Sequence, residues 1–178
     1  TKYIDLSGND MHSRGSAGVA YVNVFGFGDY VSRYSPAFVY YNVLDDGYAP
    51  YVAEVAAHEF GHNLGLSHDG TDDGSSNTFC INNNEYFCGM GSGSVSWAPI
   101  MGAGYYTNVT QWSKGEYPHA NNEQDDIAII TEKLGLRPDD VKSAFALAKP
   151  LTLGSNGAIT STNPENDPGN TKPFNKGV

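Results

Sequence analysis

The sequence predicts an α+β domain built around one helix that carries three histidines. Two segments, 18–25 and 37–43, alternate β-branched and aromatic residues and are predicted to be strands. A longer segment, 49–64, has apolar residues at helical spacing. A second segment of this kind, 123–134, lies near the end of the patterned part of the chain. We therefore expect strands and helices within one domain.

The first predicted helix has recognisable signals at both ends. Pro50 suits the first turn, where its missing N–H costs no hydrogen bond. The apolar residues that follow at helical spacing are Val52, Val55, Ala56 and Phe60. Gly65 can adopt the left-handed conformation that ends a helix and turns the chain back. The sequence therefore predicts a helix over 49–64.

The second predicted helix opens with the acidic segment 123–126, which suits the positive end of a helix. Asn121 or Asn122 is the predicted cap, and Gly135 is the predicted stop. The predicted inward-facing stripe consists of Ile127, Ile130 and Leu134.

Residues 58–68 have the sequence His-Glu-Phe-Gly-His-Asn-Leu-Gly-Leu-Ser-His. His58 and His62 are four residues apart, so on a helix they project from one face and can share one metal ion. The turn at Gly65 lets His68 supply a third nitrogen. Three protein ligands with an open fourth position are typical of catalytic rather than structural zinc. The sequence therefore predicts one catalytic Zn²⁺ ion.

The pattern H-E-x-x-H-x-x-G-x-x-H is the signature of metzincin metallopeptidases, and the chain resembles that clan. The segment 98–102 resembles the clan's methionine turn, with Met101 as its methionine. Asp69 follows the third histidine, as in the reprolysin (adamalysin) branch, and the stretch after Trp97 is similar to secreted bacterial proteases of that branch. The resemblance implies a metzincin-type, zincin-like fold with a twisted mixed sheet, an active-site helix and a C-terminal helix.

The implied function is that of a secreted zinc endopeptidase. Glu59 lies beside the first ligand, where a carboxylate can take the proton of a zinc-bound water that attacks a peptide carbonyl. The alternative is a catalytically inactive binding or adhesion module, or an inactive fragment of a larger protease. The presence of Glu59 and of all three histidines favours the enzyme.

The resemblance also implies how an extended peptide or protein substrate binds. An exposed edge strand, formed by Gly18, Val19, Ala20 and Tyr21, would pair with the substrate backbone. The segment 102–107 would form the wall of a specificity pocket, with Gly102, Tyr105 and Tyr106 as candidates. The two tyrosines are equally compatible with ordinary half-buried aromatic residues.

The charge balance narrows the possible partners. With 20 acidic and 10 basic residues, the formal net charge is −10, which disfavours nucleic acid and anionic membranes. No apolar run approaches membrane-spanning length. Only 17% of the residues are charged. This composition is common in extracellular bacterial proteins, so we expect a secreted protein without membrane insertion.

The segment after Asp69 raises two further possibilities. Cys80 and Cys88 lie in an Asn-rich loop and are predicted to form a local disulfide, although two reduced thiols or stray ligands fit the pattern too. Asp69, Asp72 and Asp73 suggest Ca²⁺, but their spacing does not match an EF-hand loop. A solvated acidic turn is the favoured interpretation, so Ca²⁺ is not expected.

The sequence pattern of the chain changes after Arg137-Pro138. We expect a catalytic domain over 1–137, and over 138–178 a linker and the start of a C-terminal module in a larger multidomain chain. Only 57 residues precede His58. Since metzincins carry more strands there, the front of the upper sheet is expected to be truncated.

Overall fold

The computed structural model describes residues 4, 6–10, 16–34, 37–72, 84–135 and 155. The chain divides into two compact units, Thr1–Leu134 and Gly135–Val178. Of the second unit only residues 135 and 155 are described, so the predicted linker and module over 138–178 stays a prediction. No described helix is long and apolar enough to cross a membrane.

The described residues form an α+β fold of two helices and two small sheets. The first sheet pairs β1 (Gly18–Val19) with β2 (Phe38–Val39) in antiparallel orientation. The second sheet pairs β3 (Trp97–Pro99) with β4 (Val109–Gln111) in parallel orientation. Short helical turns occur at Tyr30–Tyr34, Tyr41–Val43 and Gly93–Val95.

Helix α1 (Ala49–Leu64) has the predicted bounds. Pro50 lies in its first turn, and Gly65 follows it in the left-handed conformation with φ of 107°. The Gly65 N–H donates to the carbonyl groups of Gly61 and His62, which are among the last four of the helix. The predicted start, length and stop of this helix are confirmed.

The first predicted strand is much shorter than the segment 18–25. Beyond Val19 the backbone leaves the sheet and crosses the end of α1. There the N–H of Asn23 donates to the His62 carbonyl (2.8 Å), while the next two N–H groups donate to the Asn63 carbonyl (3.0 and 2.9 Å). These donors satisfy the helix end instead of a neighbouring strand. The alternating side-chain pattern could not show whether these backbone N–H groups pair with a neighbouring strand or with the end of a helix.

The second predicted strand, 37–43, is also shorter, because Tyr41–Val43 forms a 3₁₀ turn. Tyr40 at this junction is 1% exposed and belongs to the core. The buried apolar residues of the described chain are Val24, Tyr40, Leu44, Val55, Leu64, Leu66, Ala98, Met101 and Tyr117. Most of them lie on or against α1, so this helix is the centre of the packing.

Helix α2 comprises Asp126–Leu134, so it starts at the last residue of the predicted acidic opening, 123–126. The predicted asparagine cap is wrong: Asp125 Oδ1 accepts the N–H of Ala128 (2.9 Å), as a capping residue does. The predicted inward stripe is wrong at two positions, since Ile127 and Leu134 are 44% and 48% exposed. Fully buried Asp126 fixes which face of α2 turns inward.

Two carboxyl groups, those of Asp69 and Asp126, are buried. Asp69 Oδ1 accepts a hydrogen bond from Asn122 Nδ2 (3.0 Å), and Asp126 Oδ2 accepts the N–H of Ser113 (3.0 Å). The second oxygen of each has no hydrogen-bond partner among the described residues. Burial raises the pKa of Asp126 to about 6. Burial, together with the charge of Asp126, raises the pKa of Asp69 to about 7.

The raised pKa of Asp126 predicts a pH dependence of stability. The folded protein retains a proton that the unfolded chain has released, so this carboxyl lowers stability as the pH rises from about 4 through about 6. Asp126→Asn removes the buried charge and keeps an oxygen for the Ser113 N–H. The quantity of interest is the melting temperature of the variant minus that of the parent. We expect this difference to be about 2–4 °C larger at about pH 7.5 than at about pH 4.5.

Thermal melts in the presence of a chelator measure this difference without a contribution from bound metal. The control is Glu132→Gln, which removes an exposed charge from the same helix. An equal shift of Asp126→Asn at both pH values would contradict the assignment of the penalty to the buried carboxylate.

Candidate metal centre

The three predicted ligands converge in the structure. His58 and His62 project from the last turns of α1, and the Gly65 turn brings His68 back to them. One nitrogen from each ring forms a group within 4.8 Å, and the Nε2 atoms of His62 and His68 are 3.0 Å apart. A tetrahedral zinc with Zn–N bonds of about 2.0–2.1 Å places its nitrogens about 3.3 Å from one another. The cluster fits such an ion.

In each of the three histidine rings, the Nδ1 atom, here called the outer nitrogen, lies close to an oxygen atom. The pairs are His58 Nδ1 with the Ile100 carbonyl (2.8 Å), His62 Nδ1 with the Leu66 carbonyl (2.8 Å) and His68 Nδ1 with Glu85 Oε1 (3.2 Å). Carbonyl and carboxylate oxygens only accept, so Nδ1 carries the hydrogen in each case. Each Nε2 therefore keeps a lone pair for a metal.

The surroundings also set the charge of the three rings. Burial, assisted by neighbouring His62, lowers the pKa of His58 to about 3. Burial likewise lowers the pKa of His62 and of His68. All three rings are therefore neutral near pH 7, which is the form that binds zinc.

Glu59 lies on the next position of the helix and is 6% exposed. Burial raises its pKa to about 7. A carboxyl group with a pKa near the working pH can both accept and return a proton. Glu59 faces β1 so closely that a Cβ added to Gly18 would lie 2.5 Å from Glu59 Oε1. The absence of a side chain at Gly18 thus leaves the room that the Glu59 carboxylate occupies.

Met101 lies fully buried beneath α1. A Cβ added to Gly61 would lie 2.6 Å from Met101 Sδ, so the thioether packs directly against the helix backbone. Gly61 lies on α1 between His58 and His62. Met101 therefore forms a hydrophobic floor under the part of α1 that carries two ligands.

The predicted substrate-binding residues of the first segment lie along and just beyond β1. Gly18 and Val19 form the strand, Ala20 is half-buried, and Tyr21 is 57% exposed. Among the described residues, only β2 pairs with β1. The structure thus brings one end of this segment beside Glu59.

The predicted pocket wall follows Met101. Gly102 is buried, and its N–H donates to the Pro99 carbonyl (3.0 Å). Tyr105 is half-buried, and burial with the nearby charges of Glu54 and Glu59 raises its pKa to about 12. Tyr106 is 66% exposed. Tyr105 is thus electrostatically coupled to Glu59.

Three residues near the site are absent from the sequence-based prediction. Glu54 accepts a hydrogen bond from the N–H of Gly104 and so ties the pocket wall to α1. Its position one turn before the first ligand was an available signal. Glu85 faces His68, and the Tyr86 ring lies 4.3 Å from the His68 ring between centroids. No sequence pattern indicates these two.

Two predictions fall on residues outside the described part of the chain. Cys80 lies there, so its disulfide with Cys88 stays a prediction. Asp73 lies there too. Of the other two members of the predicted solvated acidic turn, Asp72 is exposed, whereas the prediction is wrong for Asp69, which is buried.

Comparison with known proteins gives one match. The family model described as "Reprolysin_5: Metallo-peptidase family M12" matches residues 7–113, which is more than half of the 178 residues. None of the curated proteins and none of the solved structures matches the chain significantly.

The close approach of Gly18 to Glu59 yields a prediction. In Gly18→Ala the added Cβ must displace the Glu59 carboxylate or the β1 backbone, because the Phe38 carbonyl lies only 2.8 Å away on the other side. We expect peptide cleavage to fall by about 10-fold or more, as for a displaced general base, while bound zinc stays at the parental level.

Kinetics with a quenched-fluorescent peptide and metal analysis of the same preparations measure the two effects. Gly28→Ala is the matched control, because nothing lies within 4 Å of its Cβ position. Undiminished cleavage by Gly18→Ala would show that the function of Glu59 does not depend on the room that Gly18 leaves for its carboxylate.

Proposed function

We propose that the chain, which belongs to metallopeptidase family M12, is a zinc-dependent endopeptidase. The observation that carries the proposal is the group formed by one ring nitrogen each of His58, His62 and His68, with the buried Glu59 at the position after the first of them. A structural zinc site would have four protein ligands, and the described residues supply three.

In this proposal, three histidines bind the metal ion and Glu59 transfers protons during peptide hydrolysis. When bound by His58, His62 and His68, Zn²⁺ supplies a Lewis acid that makes water acidic and stabilises negative charge on a carbonyl oxygen. Glu59 accepts the proton of the attacking water, and its carboxyl later protonates the leaving amine. Its pKa of about 7 suits both steps near neutral pH.

The substrate in this proposal is an extended peptide that lies along β1. The free edge of a strand offers backbone N–H and C=O groups, which give affinity with little dependence on the side chains. Gly18 at this edge adjoins Glu59, so a peptide paired there passes the base. Tyr105, coupled to Glu59, would line the adjacent pocket, whereas exposed Tyr106 would contact the substrate only at the rim.

The decisive test combines metal removal with a substitution of the base. The parent should contain one zinc per chain and cleave a quenched-fluorescent peptide library. Chelator should abolish cleavage, and added Zn²⁺ should restore it. Glu59→Gln should retain zinc and lose cleavage by about 10³-fold or more, because Gln preserves the shape but cannot accept the proton.

Glu132→Gln, which removes an exposed charge on α2, controls for the change in net charge. Residual cleavage by Glu59→Gln near the parental rate would refute the role of Glu59. Stoichiometric zinc without any cleavage by the parent would refute the peptidase.

We further propose that the protein is secreted and that Cys80 pairs with Cys88, since disulfides persist in oxidising surroundings. We expect no thiol to react with an alkylating reagent in the denatured, unreduced protein and two to react after reduction. Mass spectrometry reports both numbers. Alkylation before reduction would contradict the disulfide.

A further inference from the structure

The three ligands differ in how their outer nitrogens are held. His58 and His62 lie on α1, and their Nδ1 atoms donate to backbone carbonyls. His68 follows the helix in a segment without regular structure. Its Nδ1 faces a side chain instead, the carboxylate of Glu85, at 3.2 Å. The third ligand therefore depends on a residue outside the H-E-x-x-H-x-x-G-x-x-H pattern.

The segment that carries Glu85 is fixed on both sides of the site. The N–H of Phe87 donates to the Asp69 carbonyl (2.6 Å), and the Phe87 carbonyl accepts the N–H of Ala103 (3.0 Å). These bonds hold the segment between the residue after His68 and the segment after Met101. Glu85 is thus presented to the histidine by backbone contacts rather than by a free loop.

The neighbouring Tyr86 restricts the ring of His68 from another direction. Its ring centroid lies 4.3 Å from that of His68 and 6.2 Å from that of His58. This close contact between rings tilted by 44° limits rotation about the His68 side chain, while the carboxylate selects the orientation in which Nδ1 points to Glu85. In that orientation Nε2 points toward Nε2 of His62, 3.0 Å away.

We propose that Glu85 is a positioning residue that orients His68 and strengthens its bond to the metal. The inference rests on the proposed zinc site and adds to it a carboxylate–histidine pair. The charge of the Glu85 carboxylate polarises the Nδ1–H of His68 more than a neutral carbonyl does, although this contact (3.2 Å) is longer than the two carbonyl contacts (2.8 Å each). It thereby makes the opposite nitrogen a better electron donor to zinc. The side chain of His68, which lies outside α1, is 28% exposed.

The test measures zinc affinity by competition with a chromophoric chelator, using the full chain and Zn²⁺. Glu85→Ala removes the acceptor and the charge, and we expect zinc to bind about 10–100-fold more weakly. Glu85→Gln keeps an oxygen for the Nδ1 hydrogen but loses the charge, so its affinity should lie between those of Glu85→Ala and the parent. Glu132→Ala, which removes an exposed carboxylate from α2, should bind zinc like the parent.

A second readout separates positioning from a general effect on folding. The melting temperature measured in chelator should be the same for Glu85→Ala and the parent, because the hydrogen bond to a half-exposed carboxylate contributes little to the metal-free fold. Replacement of zinc by Co²⁺ should give an altered visible spectrum in Glu85→Ala, since the geometry at the third nitrogen changes.

The outcomes distinguish this inference from the proposed function. Zinc affinity of Glu85→Ala within about threefold of the parent would overturn the role of Glu85 while leaving the peptidase intact. A fall in the metal-free melting temperature that accounts for the lost affinity would also overturn it. A parent that binds no zinc would overturn both proposals.

Discussion

The way helix α1 ends is the constraint on which the rest of the site depends. An α-helix leaves its last carbonyl groups unsatisfied, and here several backbone N–H groups from other segments supply the missing bonds. Gly65 turns the chain with a positive φ, and the N–H of Leu66 donates to Gly61 (3.0 Å). The segment after β1 donates to the next two carbonyls. These bonds fix the direction in which the chain returns, and so the place of His68.

Burial around this helix end has opposite effects on the two kinds of side chain that the chemistry needs. It disfavours the charged form of every group, so it lowers the pKa of His58 and raises that of Glu59. Both shifts favour the states that the proposed function requires, which are a neutral ligand and a carboxyl group that titrates near neutrality. The same burial acts on Asp69 and Asp126, where it costs stability rather than serving a reaction. One packed region thus produces both the reactive groups and a destabilising carboxyl pair.

The sequence alone determined the features that depend on the spacing of residues close together in the chain. Helix α1 begins and ends where its proline and glycine predict, because those signals act within one or two turns. The histidine ligands and Glu59 follow from the same short pattern, since residues four apart share a helix face. The family match agrees with that pattern. The eleven consecutive residues 58–68 were therefore nearly sufficient to predict the core of the site.

Only the tertiary structure decided which distant groups meet this helix. The segment 18–25 alternates like a strand, yet most of its backbone donors are used by α1, because hydrogen-bond demand at a helix end is not visible in side-chain alternation. The face of α2 was set by the burial of Asp126, against the apolar pattern. Glu85 reaches His68 across seventeen positions of the chain, a contact that no periodicity encodes. Local rules fix spacing along the chain, whereas packing fixes which oxygen each ligand faces.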